Sequence, residues 1–489
     1  MWPRSLPKPR RWTLALIAGL TIWGLTDVRR RGYAHPENPA KHRTDLTVYT
    51  EAGAAFFDGR APYEVANPRG WRYLYPPMFA LLLAPLHALA SQDQVTVWFF
   101  VCLLICWGCF RELRLILREL CESDPRLAAG CRRWFPWLGV CALATGLLPT
   151  LNCLQRGQVG VLKLYLLFLG LRLIVRGRGW RAWIAGGTVL AMPVVLKIVP
   201  VLPVALLLFV QLAAARKRLP EDPSPAVARR RLAGSTLGVA LGLVLFFLLV
   251  PAALIGWKAN LQHLGTFSQI VLARQDDSGR DRLAGVETHT VRNQSFSNAV
   301  YRFGNFAAHM LSGGPDDRLV VEPNPPAMAM DAPIVGRLVL GVRLGLLAAL
   351  AALGWRLGRP DDALGLALAF ALACVAMLVV SPISRGHYFM LLAPAVLLLP
   401  LWLDRQAMPR AATAMAVVPA VLSVLHYLLL DQAGRVGLLG LGTTAWLVAV
   451  IVLGLVAGPP RSHLAGSAEA PAAATRRPQF SRGPSEKAA

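Results

Sequence analysis

Charge is in short supply in this chain. Asp, Glu, Lys and Arg make up 16% of its 489 residues, where an ordinary soluble domain carries about 25%. Hydrophobic residues reach 55% and mean hydropathy is +0.47, which excludes the soluble fold classes. Acids are scarcest, 27 against 51 basic residues, leaving a formal charge of +24. That balance can mark a nucleic-acid binder, but Lys and Arg fall in short segments between apolar runs rather than on one surface. The charge therefore reports membrane topology, and no nucleic-acid partner is expected. Cysteines number eight and show no disulfide framework. Cys106 and Cys109 form a C-x-x-C without a second pair, a weak zinc signal. With Cys102 they share one helix face, as small packing residues do. Only Cys153 falls in an outer loop, where it has no partner to oxidise. Internal repeats, which many transporters show, are missing as well.

What the chain does have is apolar runs long enough to cross about 30 Å of hydrocarbon. Spans are expected near 12 to 27, 94 to 112, 135 to 150, 158 to 174, 182 to 196, 198 to 214, 235 to 255, 334 to 355, 362 to 380, 388 to 403, 411 to 430 and 436 to 457. The expected fold class is all-α, a polytopic membrane protein of about twelve helices. Arg10 and Arg11 precede the first run and no small-x-small cleavage site follows it, so it reads as an uncleaved anchor. The run Tyr75 to Ala90 is left out of that count. Were it to cross, the basic loop Arg111 to Arg133 and the clusters at 176 to 178, 216 to 218 and 229 to 231 would all face outward, against the positive-inside bias. A short re-entrant or outer-face helix, broken at Pro76, Pro77 and Pro85, places them inside. Residues 1–457 then form one membrane-embedded domain with outer loops 28–93 and 256–333. The polar stretch Arg274 to Arg282 reads as mobile, and residues 458–489, rich in Ala, Pro, Ser and Arg, as a disordered cytoplasmic tail.

Candidate chemistry gathers in the outer segments. Asp45 follows the first span, and Tyr75-Pro76-Pro77 stands at the lip of the broken run; carboxylates are costly beside hydrocarbon and rarely stand there without a task. A structural cap, or an ion pair with Arg43 or Arg72, is the plainer reading of Asp45. Lys197 sits between two apolar runs, flanked by Pro193, Pro200 and Pro203, where it either snorkels to the interface or meets a phosphate as a point charge. Arg156 and Gln158 share an outer helix end, as interface anchors or ligand contacts. Arg385 and His387 follow Ser381-Pro382, in reach of phosphate or sugar oxygens. Asn293, Gln294 and Ser295 carry groups suited to sugar hydroxyls or to closing a turn. Glu51 and Asp58 read as solvated acids.

Taken in order, Asp45, Tyr49, Gly59, Pro62-Tyr63, Tyr75-Pro76-Pro77, Pro85-Leu86, Gly157-Gln158, Lys197-x-x-Pro200, Asn293-Gln294-Ser295 and Ser381-Pro382-Ile383-Ser384-Arg385-Gly386-His387-Tyr388 resemble glycosyltransferase family 87, membrane enzymes of the GT-C fold class. The resemblance implies a hexosyltransferase, mannosyltransferase-like, that moves a sugar from a polyprenyl-phosphate donor to a lipid or glycan acceptor, working at the outer face of the plasma or inner membrane. It implies Asp45 as the base and Tyr75, Arg156, Gln158, Lys197, Asn293, Gln294, Arg385 and His387 as substrate-binding residues. No cofactor and no metal are required, since two or three cations can compensate a monophosphate. One departure stands out: Arg385 occupies a position where relatives often carry an aromatic, with a single His387 after it. A transporter or lipid flippase is the alternative from another class, and a non-catalytic scaffold would leave the Tyr75 and Lys197 patterns unexplained.

Overall fold

The computed structural model describes residues 11–217, 225–272, 293–300, 332–360 and 362–457. Arg274 to Arg282 and the tail 458–489 lie outside them. Among the described residues the chain is helical with no strand, only two isolated bridges. Each apolar run becomes a helix because a backbone in hydrocarbon must satisfy its own hydrogen bonds. In chain order these are α1 (Arg11–Gly32), α2 (Leu46–Phe57), α3 (Pro77–Leu83), α4 (Ser91–Ser123), α5 (Pro125–Gln155), α6 (Gly160–Arg176), α7 (Trp180–Leu196), α8 (Val201–Arg216), α9 (Pro225–Leu243), α10 (Val250–Ile255) and α11 (Trp257–Phe267). After the undescribed segments come α12 (Ala332–Leu357), α13 (Ala363–Val380), α14 (Ala393–Arg405), α15 (Pro409–Leu428), α16 (Leu430–Arg435) and α17 (Leu438–Val456).

Among the described residues, seven helical stretches are long and apolar enough to cross a membrane, and three more, 77–88, 180–196 and 201–216, are apolar but shorter. The twelve-span expectation therefore includes helices that length and composition do not certify alone. In particular α4 and α6 carry an ion pair between them, the buried Glu112 with the partly buried Arg172. The run after Tyr75 divides as expected: α3 gives way to a 3-10 turn at Ala84–Ala88, with Pro76 and Pro77 starting the helix and Pro85 inside the turn. At about 1.5 Å per residue such a helix reaches only about 18 Å, too short to span. One sequence expectation is corrected. Cys153 is not in a loop; α5 runs on to Gln155 and buries it completely, despite Pro149 within the helix.

The centre of the bundle is α13, an Ala- and Leu-rich helix buried from Leu364 to Val379 and apolar all round, as a core helix must be. Polar bonds tie the helix ends together on one side of it. Arg405 at the end of α14 pairs with Asp362 at 2.7 Å and Asp124 at 3.8 Å, Lys217 donates to the carbonyls of Trp355 and Arg356, and Arg231 donates to that of Pro360. The basic junctions after α4, α6 and α8 belong to this end. The junctions holding Asp45, Arg156, Lys197 and His387 lie at the other.

Candidate active site

Asp45 occupies the N-cap position of α2 without making a side-chain cap bond, so its carboxylate is not used to start the helix. It is 7% exposed. Gln158 Nε2 donates a hydrogen bond to its Oδ2, and Arg156 Nε stands 3.5 Å from the same oxygen. Neither partner suggested by nearness in sequence is used: Arg72 pairs with Glu64 at 3.1 Å.

Backbone geometry explains how two residues more than a hundred positions away reach Asp45. The Asp45 N–H donates to the Arg156 carbonyl at 2.9 Å, docking the two loops. Between Arg156 and Gln158 the chain turns through Gly157 at φ +65°, a left-handed conformation that side chains rarely adopt. A Cβ there would also stand 2.8 Å from Leu46 Cβ and 2.9 Å from Thr44 Oγ1. Gly157→Ala should thus cost about 1–3 kcal/mol and part Gln158 from Asp45. Thermal unfolding in detergent and transfer rates should fall together.

Asn67 fastens the same loop from the other side. Its Nδ2 donates to the Thr44 carbonyl at 3.2 Å, while its Oδ1 accepts from the N–H groups of Arg69 at 3.0 Å and Trp71 at 3.1 Å. Trp71 lies under two guanidiniums, Arg69 at 4.7 Å and Arg156 at 5.7 Å from its ring centroid. None of these three was expected at the site, although Asn67-Pro68-Arg69-Gly70 is a recognisable turn signature.

Lys197 caps the end of α7 in an extended conformation, φ −164°, ψ 110°, with Pro193 inside the last turn of that helix and Pro200 capping the start of the next. Its ammonium does not snorkel outward. It donates to the Tyr388 hydroxyl and, at 3.4 Å, to that of Tyr75, and lies over both rings, 4.3 Å and 5.0 Å from their centroids. Burial and the Arg385 guanidinium lower the Lys197 ammonium to about 7, with Asp45 close enough to offset part of that. Tyr75 extends the wall through Tyr49, 5.4 Å away between centroids, and Tyr49 is in turn 4.8 Å from Phe79.

His387 is the second residue of the 3-10 segment Gly386–Leu392, is 1% exposed and packs edge-on against Tyr388 with centroids 4.4 Å apart. Its charged neighbours are Arg156, Arg385, Lys197 and Lys163. The sequence-chosen residues Asp45, Tyr75, Arg156, Gln158, Lys197, Arg385 and His387 thus share one neighbourhood. Asn293 and Gln294 join it differently. Asn293 forms an antiparallel bridge with Arg385; its Oδ1 accepts from the Ser295 and Ser384 N–H groups at 3.0 and 2.9 Å, and its Nδ2 donates to the Pro382 carbonyl at 3.1 Å. Gln294 donates from its backbone to the Ser384 carbonyl at 2.6 Å and from Nε2 to the Gly434 carbonyl at 3.2 Å. Together they clamp the loop that presents Arg385 and His387. Glu51 and Asp58 pair with Arg60 at 2.8 and 3.1 Å.

Lys163 is a further residue that sequence reading missed. It lies inside an expected span, and its signal was a lone ammonium in an apolar run. Chemically, the neighbourhood offers one oriented carboxylate, able to take a proton, facing several cations able to hold an anion. Residues 73–382, well over half of the chain, match the model of glycosyltransferase family 87. No curated protein matches the chain. A similar solved structure is ArnT from Cupriavidus metallidurans bound to undecaprenyl phosphate, at 16% identity and a TM-score of 0.37, over 91% of this chain and 78% of that one. Asp45, Arg385 and His387 stand outside the matched segment, tied to it by the contacts above. The chain belongs to glycosyltransferase family 87, and with its long apolar helices it is a membrane glycosyltransferase.

Proposed function

We propose that the chain transfers a hexose, mannose-like, from a polyprenyl-phosphate donor to a hydroxyl of a lipid or glycan acceptor, at the outer face of the cell membrane and with inversion at the sugar. Asp45 takes the acceptor proton as the new bond forms, while Lys197, His387 and Arg385 hold the phosphate that departs. The observation that carries this reading is the Asp45 carboxylate, oriented by Gln158 and Arg156, within electrostatic range of a Lys197 ammonium that has no carboxylate of its own. A retaining route would call for a second carboxylate close by. Arg156 Nη2, Gln158 Oε1 and His387 Nε2 are buried without hydrogen-bond partners among the described residues, an arrangement that a polar ligand would relieve. The protein's own cations compensate the phosphate, so the reading asks for no metal or cofactor.

The donor assignment is tested by reconstituting the protein in vesicles with an acceptor lipid extract and a polyprenyl-phosphate hexose. Transfer should occur with that donor and not with nucleotide sugars. Direct use of a nucleotide sugar, or movement of the lipid across the bilayer without transfer, would overturn it. Placement of the site is tested by introducing cysteines. An impermeant thiol reagent applied from outside should label one at Ser278 and spare one at Ser224, and the reverse pattern would put the site on the inner face.

A further inference from the structure

Lys163 has no part in the reaction as described above, yet its setting calls for one. It lies one turn into α6 with 5% exposure. Its ammonium makes neither a hydrogen bond nor an ion pair among the described residues; it sits 5.1 Å from the Tyr388 ring centroid. The neighbouring cation is Lys197, which approaches the same ring to 4.3 Å and bonds its hydroxyl. Two ammonium groups without a carboxylate between them are costly in a buried setting. Packing shows that the approach is built in. Gly160, on the same face three residues earlier, lets α6 meet the Gly386–Leu392 segment so closely that a Cβ would stand 2.4 Å from Met390 Cε and 2.9 Å from Cys153 Sγ. That contact sets Lys163 beside Tyr388.

We propose that Lys163 and Lys197 form a two-lysine clamp across Tyr388, in which Lys163 meets the second negative charge that the phosphate gains as the sugar leaves. The proposal rests on the lipid-phosphate donor reading. In the step, the bond from sugar C1 to the phosphate oxygen breaks and its electron pair stays on that oxygen. The acceptor oxygen bonds to C1 and its proton passes to Asp45. The donor is a phosphodiester with one negative charge; the product is a monoester that carries up to two. Lys197 answers the charge already present in the donor. Lys163 answers charge that appears only during transfer, and an interaction stronger in the transition state than in the ground state raises turnover rather than donor affinity.

The test is a kinetic comparison on the purified full chain, using a short-chain polyprenyl phosphate as product inhibitor and its sugar phosphodiester as donor. Lys163→Met should lower kcat by about 10- to 100-fold and weaken product inhibition by a similar factor, with donor KM changed less than about threefold. Because the variant removes a buried charge, its unfolding temperature should hold or rise. Lys163→Arg, which keeps the charge, should recover part of the rate. Unchanged kcat and product inhibition, or equal weakening of donor and product, would overturn the clamp. Lys197→Ala in the same assay separates the two levels. If it alters neither donor nor product binding, the phosphate reading itself falls; if it weakens both while Lys163→Met does nothing, only the Lys163 assignment falls.

Discussion

Asp45→Asn should lower transfer by about a hundredfold or more while the protein still inserts and folds. The substitution keeps the size of the side chain and an oxygen that can accept the Gln158 hydrogen bond, so the docking of the α2 loop against Arg156 and Gln158 survives. What it removes is basicity. Structural roles for the carboxylate predict otherwise. Asp45 makes no side-chain cap bond to α2, so loss of a cap cannot be the cause of lost turnover. Were the ion pair to Arg156 its purpose, the damage would show as a lower unfolding temperature, with turnover in the surviving folded fraction close to normal. Turnover per folded molecule at saturating donor and acceptor decides between them, and a near-normal value would remove Asp45 from catalysis.

Loss of the Lys197 ammonium should have the next largest effect. A charge-assisted contact to phosphate is worth about 1.5–3 kcal/mol, so Lys197→Ala should reduce kcat/KM for the donor by about 10- to 150-fold, with the acceptor KM little changed. Lys197→Arg should recover only part of this, because a planar guanidinium cannot reach between Tyr75 and Tyr388 as a compact ammonium does. The direction of pH dependence follows from the surroundings of Lys197. With the group lowered to about 7, the ammonium is complete below that pH and lost above it, so kcat/KM for the donor should fall as pH rises through about 7. An arginine stays charged throughout, so that limb should vanish in Lys197→Arg. A mutation that changed only the acceptor KM, or a pH limb that persisted in the arginine variant, would assign Lys197 to another role.

The helices were legible because hydrocarbon demands long apolar runs and leaves little choice of secondary structure. The run expected at 182 to 196 is α7, at Trp180–Leu196, and that expected at 362 to 380 is α13, at Ala363–Val380. Prolines marked the broken α3 for the same reason. Partner choice was less legible. Asp45 took Gln158 rather than Arg43 or Arg72 because Gly157 allows a backbone docking that no spacing rule reveals. Asn293 offered the same amide for a sugar or for a turn, and only the bridge to Arg385 shows where its bonds go. Lys163 was hidden by its own surroundings, since a run of valine and leucine around one lysine reads first as a span.

Stereochemistry at the transferred sugar tests the account most directly. With a polyprenyl-phosphate hexose of defined anomeric configuration, nuclear magnetic resonance of the glycosylated acceptor should show the opposite configuration at C1. A single displacement assisted by Asp45 allows nothing else. A product that kept the donor's configuration would require a second displacement on a covalent or trapped intermediate, and would contradict the assignment of Asp45 as a base acting on the acceptor hydroxyl.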